Sequence, residues 1–94
     1  MIVYIAGPMA GMEDKNREAF RAAEEYLRLK GHTVLNPAVL PDGLPASAYM
    51  PICLSMVQAA DAVYLLRGWG RSHGAGIECN YALYQGKKIL RQAE

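Results

Sequence analysis

The chain has 94 residues, which bounds it to one domain spanning 1–94, excludes a second, and makes self-association, most simply as a homodimer, a useful aid to a small core. With 52% hydrophobic and 20% charged residues it has the composition of a soluble globular fold, and a net charge of +1 spread along the sequence excludes bulk attraction to nucleic-acid polymers or acidic membranes. Cys53 and Cys79 are too few for a disulfide scaffold and form no metal-ligand spacing with His32 or His73, so a reducing, cytoplasmic setting is expected, with free thiols and neither metal nor cofactor.

The first predicted element is a strand over Ile2 to Ala6, continuously apolar, as a parallel strand buried on both faces should be. Gly7, Pro8 and Gly11 interrupt the run that follows, which leaves Ile2 to Met12 too short for a signal or membrane segment. A helix is predicted from Glu13 to Lys30, with Ala19, Phe20, Ala23, Tyr26, Leu27 and Lys30 on one stripe, Glu13 and Asp14 in its first turn, and Gly31 as its stop. Its other face, Glu24 and Glu25 included, reads as solvated.

His32 to Leu35 reads as a second strand. Asn36 to Ala46, with three prolines and a glycine, reads as a loop able to wall a pocket. A second helix over Ser47 to Ala60 places Tyr49, Ile52, Cys53, Met56, Val57 and Ala60 on one stripe, with Pro51 taken to lie in the opening turn. Asp61 reads as a structural cap before the third strand, Ala62 to Leu66. A third helix runs from His73 to Gln85, ended by Gly86, and Lys88 to Leu90 forms a fourth strand. This alternation predicts an α/β fold: a small, open, doubly wound parallel sheet of flavodoxin-like or Rossmann-like type, ordered 2-1-3-4, with helices on both faces and right-handed crossovers.

In such sheets ligands bind beyond the carboxyl ends of the strands where the order reverses. That point brings Gly7-Pro8-Met9, Asn36-Pro37 and Gly68-Trp69 together with Ser72-His73-Gly74-Ala75-Gly76-Ile77-Glu78. Glycines at 68, 70, 74 and 76 admit close approach of backbone amides, and a helix starting near Ser72 aims its free N–H groups and dipole at the same place, an anion site. The Ser72 hydroxyl and Arg71 suit a phosphate, Trp69 offers a face on which a base can stack, and Glu78, one to two turns into the helix, can attack an electrophilic carbon. A nucleotide satisfies all of these together. The plainer readings are a surface glutamate at a helix start, glycines serving helix-to-sheet packing, Trp69 as an interface anchor, and Tyr4 and Cys53 as core residues.

These residues resemble the nucleoside 2-deoxyribosyltransferase superfamily, with its nucleoside-monophosphate N-glycosidases and a small, mostly phage-borne branch of unassigned function. The resemblance lies in Tyr4-Ile5-Ala6-Gly7-Pro8-Met9, in Ala60-Asp61-Ala62-Val63, in Ser72-x-Gly74-x-Gly76-x-Glu78, and in the run from Ala82 to Lys87. It implies that Glu78 attacks C1′ of a nucleoside or nucleotide to form a glycosyl ester, that Tyr4 hydrogen-bonds this nucleophile, and that Ser72 binds a 5′-phosphate. Ser72 stands where the transferase branch carries an Asp, six residues before the nucleophile, which favours a phosphorylated ligand. The family's general acid, an Asp eight residues before Asp61, is replaced by Cys53, with His73 or Asp42 as conceivable substitutes. Some members complete their site from a neighbouring subunit's C-terminal extension, and this sequence stops at Glu94. The expected function is therefore an N-glycosidase or 2-deoxyribosyltransferase, against a nucleotide-binding module that kept the pocket while losing efficient chemistry. A pure interaction domain is the third class.

Overall fold

The computed structural model of the chain describes residues 1–93; Glu94, the last residue of the expected domain, lies outside them. Four strands, β1 (Ile2–Ala6), β2 (Thr33–Leu35), β3 (Ala62–Leu65) and β4 (Lys88–Arg91), form one parallel sheet ordered β2-β1-β3-β4. Three helices connect them in turn: α1 (Arg17–Leu29), α2 (Ala46–Ala59) and α3 (His73–Tyr84). The expected α/β architecture and strand order are both found. Among the described residues no helix is long and apolar enough to cross a membrane.

Alternation along the two central strands divides the core into layers. Val3, Ile5, Ala62, Tyr64 and Leu66 pack with Phe20, Ala23 and Leu27 of α1 on one face. Tyr4, Ala6, Val63 and Leu65 pack on the other with Cys53 and Val57 of α2 and Ala75, Cys79 and Ala82 of α3. Both faces of β1 and β3 are covered, which is why their runs are continuously apolar, whereas the edge strands β2 and β4 are only partly buried. Tyr4 pairs in register with Leu35 and Val63, so its side chain starts from the middle of the sheet. Asp61 has the structural part expected of it: its carboxylate accepts the Ile2 N–H at 2.8 Å, tying the start of β1 to that of β3.

Two local expectations are corrected. The first helix does not begin at Glu13: Asp14, Lys15 and Asn16 have φ of 46°, 54° and 61°, the left-handed region, and the α-helix starts at Arg17. Tertiary bonds hold this turn against its intrinsic cost of about 1–2 kcal/mol per residue. Asn16 donates from its amide to the Pro8 carbonyl at 2.9 Å, and Lys15 and Arg17 both bind the Asp42 carboxylate of the 36–46 loop. Pro51 does not lie in the opening turn of α2, since the helix starts at Ala46 and Pro51 falls inside it. The ring sits on the exposed side, where the carbonyl it leaves unpaired can meet water.

Candidate active site

A cleft of about 260 Å³ opens beyond the carboxyl ends of β1 and β3. Tyr4 and Gly7 line it from β1 and the turn after it, Tyr49 and Met50 from α2, and Ser72, His73, Gly74 and Glu78 from α3. The switch point of the sheet is thus where the sequence pattern placed it.

Glu78 is only 5% exposed, in the sixth position of α3. Burial pushes its carboxyl from the ordinary 4.5 up to about 7, with the Tyr4 and Cys53 side chains opposing part of that rise. Tyr4 is fully buried, and its hydroxyl lacks a hydrogen-bond partner of ordinary geometry among the described residues. Burial first, and then the charges of Glu78 and Cys53, drive the phenol far above its usual range. An unsatisfied buried hydroxyl costs about 1–3 kcal/mol. Together the two side chains hold an acid that is half neutral near pH 7 and, beside it, an O–H donor without an acceptor of ordinary geometry among the described residues.

The start of α3 supplies the opposite polarity. The Ser72 hydroxyl accepts the Ala75 N–H at 3.1 Å as the helix cap, and the Ser72 carbonyl accepts the Gly76 N–H at 3.0 Å. The amides of His73 and Gly74 are left without a partner among the described residues, at the rim of the cleft. The hydroxyl hydrogen of Ser72 is also left to donate, so three donors and a helix dipole stand together.

The remaining candidates are distributed as follows. Met9 lines the cleft and accepts the Tyr49 hydroxyl on its sulfur at 3.0 Å. Gly7 is required by packing: a Cβ there would stand 2.7–3.0 Å from the Leu66 side chain. Gly74 lines the cleft, with the Met50 methyl 3.4 Å from where its Cβ would be. Pro8 and Gly68 line an adjoining lobe, with Gly68 in the left-handed region at φ 81°.

Four candidates stand elsewhere. Asn36 is buried outside the cleft, its amide donating to Glu24 at 3.0 Å and its oxygen accepting the Ala38 N–H at 2.9 Å, so its polar groups are spent on the turn at Pro37–Val39. Glu24 is correspondingly half-buried rather than part of a solvated face. Trp69 packs against the α2/α3 core, with the Arg91 guanidinium 5.6 Å from its ring centroid. A Cβ on Gly76 would meet nothing within 4 Å, and this residue does not line the cleft. Cys53 is fully buried beneath the cleft, and burial raises its thiol. Of the substitutes for it, His73 is exposed on the rim, whereas Asp42 is held below the usual carboxylate range by Lys15 and Arg17 and faces a third lobe walled by the 36–46 loop.

Tyr49, Met50 and Arg67 were not among the sequence candidates. Tyr49 had a legible signal, one helical turn before Cys53 on the same stripe. Arg67 had another, as the first residue beyond the apolar β3 run.

Residues 1–91 match the family model described as "Domain of unknown function (DUF4406)". Comparison with curated proteins gives no match. Among solved structures the fold is similar to a 2-deoxyribosyltransferase from Leishmania mexicana, with a TM-score of 0.77 and 24% identity over 96% of this chain and 62% of that one. It is similar also to a 2-deoxyribosyltransferase from the psychrotolerant bacterium Bacillus psychrosaccharolyticus, with a TM-score of 0.76 and 21% identity over 97% of this chain and 71% of that one. The chain therefore spans less than two thirds of the Leishmania protein, and at these identities the likeness establishes the nucleoside 2-deoxyribosyltransferase fold.

Proposed function

Starting from a chain that belongs to the family described as "Domain of unknown function (DUF4406)", we propose that it is a nucleoside or nucleoside-5′-monophosphate N-glycosidase or 2-deoxyribosyltransferase with Glu78 as nucleophile. The observation that carries this reading is the buried Glu78 carboxyl beside a Tyr4 hydroxyl that has no partner of ordinary geometry among the described residues, in a cleft whose rim is the free amide end of α3. Likeness of fold to two 2-deoxyribosyltransferases supports it.

In the proposed reaction the 5′-phosphate binds the Ser72 hydroxyl and the His73 and Gly74 amides, which sets C1′ toward Glu78. A Glu78 oxygen bonds to C1′ as the C1′–N bond breaks. The bonding pair leaves on the base nitrogen, which takes up a proton. Water, or a second base, then attacks C1′, the ester bond breaks and the carboxylate returns; with water, the proton it releases replaces the one the base consumed. Tyr4 donates to the carboxylate and holds its attacking oxygen in place. His73, on the rim and exposed, is better suited than the ion-paired Asp42 to protonate the base.

A second reading, a nucleotide-binding module with weak chemistry, is favoured by one observation: Cys53, at the family's acid position, is fully buried beneath the cleft and does not line it, and burial raises its thiol. Incubation of the deoxynucleoside monophosphates with wild type and Glu78→Gln, following free base by chromatography, separates the two. Base release that the variant loses supports the enzyme, while binding without release supports the module. A folded protein that binds no nucleoside or nucleotide would sink both.

A further inference from the structure

The charges around the cleft are unevenly satisfied. Along α1, Arg17, Arg21 and Arg28 are each paired with carboxylates, and in the third lobe Lys15 and Arg17 are neutralised by Asp42. The lobe beyond α3's N-terminus differs. It measures about 560 Å³, is lined by Arg67, Arg71 and Gly68, and shares Ser72, His73 and Gly74 with the Glu78 cleft. Among the described residues no Asp or Glu lines it. The Arg71 main-chain N–H donates to the Gly68 carbonyl at 3.0 Å, while its guanidinium makes no hydrogen bond or ion pair among the described residues. Arg67 is anchored from behind: its main-chain N–H donates to the Gln92 side chain at 2.9 Å and its Nε to the Ala93 carbonyl at 2.7 Å. Its two terminal nitrogens have no partner among the described residues, so a guanidinium fork is held in place at the lobe before any ligand arrives.

The order of groups along this path is a carboxylate at Glu78, three donors at the start of α3, then two arginines. A nucleoside monophosphate, with C1′ at Glu78 and its phosphate at Ser72, satisfies the first two and leaves the arginines without an anion.

We propose that the Arg67–Arg71 lobe is a subsite for a second phosphate, so that the ligand is a nucleotide bearing a 5′-pyrophosphate, a nucleoside di- or triphosphate, rather than a monophosphate. This rests on the reading of the α3 end as the phosphate side of the site. The α-phosphate takes the Ser72 hydroxyl and the two amides, and the β-phosphate takes the guanidinium groups in the arginine lobe. The same chemistry would accept the pyrophosphate bridge of a dinucleotide.

The test is calorimetric binding of deoxynucleoside mono-, di- and triphosphates of each base, of inorganic pyrophosphate, and of a 5′,5′-pyrophosphate dinucleotide, beside the base-release assay. Wild type is expected to prefer the di- over the monophosphate by about tenfold or more. The Arg67→Gln/Arg71→Gln double variant loses that preference and its pyrophosphate binding, its diphosphate affinity falling to that for the monophosphate. Arg71→Lys keeps part of the preference, and Glu78→Gln keeps all of it. A dinucleotide bound more tightly than the diphosphate also supports the subsite and assigns the pyrophosphate to that source. Equal affinity of wild type for mono- and diphosphates overturns the proposal, as does a double variant that weakens both alike. If base release is absent while the arginine-dependent preference persists, the glycosidase reading falls and the subsite stands.

Discussion

The Tyr4 hydroxyl is buried beside the Glu78 carboxyl without a hydrogen-bond partner of ordinary geometry among the described residues. Removing the hydroxyl in Tyr4→Phe deletes that polar group without changing the ring that packs from β1 into the α2/α3 core. Folding stability is expected to hold or rise by about 1 kcal/mol, where loss of a satisfied buried hydroxyl would lower it. If the hydroxyl positions the nucleophile, base release falls at least about tenfold in the same variant. Chemical denaturation and the base-release assay read the two effects separately.

Glu78 couples stability to pH. Its carboxyl titrates near 7 in the fold against 4.5 for an ordinary glutamate, so between those values the folded state holds the proton that the unfolded state has lost. Stability therefore falls as pH rises from about 4.5 through 7 and levels off above, by a contribution on the order of 3 kcal/mol. Glu78→Gln removes this dependence: urea midpoints at pH 5 and pH 8 converge, and the variant is the more stable protein at pH 8.

Activity has the opposite slope. Attack on C1′ needs the ionised carboxylate, so kcat/KM for base release rises with pH and reaches half its plateau near pH 7, the titration of the free enzyme. A flat profile between pH 5 and 8 would remove Glu78 from the role of nucleophile.

Gly7 and Leu66 share space that cannot hold another methyl group, because the Leu66 Cβ is 2.8 Å from where a Gly7 Cβ would stand. Gly7→Ala is expected to cost about 1–3 kcal/mol. Shortening Leu66 to Ala in the same chain leaves that Cβ in place, so the double variant regains only part of the loss. Unfolding curves of the two single variants and the double variant measure the coupling.

Placing the family's acid at position 53 is not expected to restore it. Cys53 is fully buried against Tyr4 and the α2/α3 core, so Cys53→Asp adds a second carboxyl beside Glu78 and exposes none of it to the cleft. A loss of stability of more than about 3 kcal/mol at pH 8, smaller at pH 5, is expected in denaturation. Base release does not increase.

Much of the fold was legible because its signals are local. Continuous apolar runs at Ile2 to Ala6 and Ala62 to Leu66 marked strands covered on both faces, and Gly31 and Gly86 marked where helices stop. Ser72 followed by glycines marked a helix start at the switch point, and the spacing to Glu78 set it within the first two turns of that helix.

What only the tertiary structure decided is where the side chains point and what they have already bound. Asn36 and Trp69 follow strands that end at the cleft, yet Asn36 is spent on Glu24 and the Ala38 amide, and Trp69 lies against the core with Arg91 at its ring. The left-handed turn at Asp14 to Asn16 depends on Pro8 and Asp42, and Arg67 is oriented by Gln92 and Ala93, all remote in sequence or beyond the next strand. Periodicity and caps are carried by neighbours within a few residues, so the sequence by itself determined the sheet and where its order reverses, at the end of which the cleft opens. Burial, ion pairing and the titration of Glu78 depend on groups brought together from α2, α3 and β1, and only folding sets those distances.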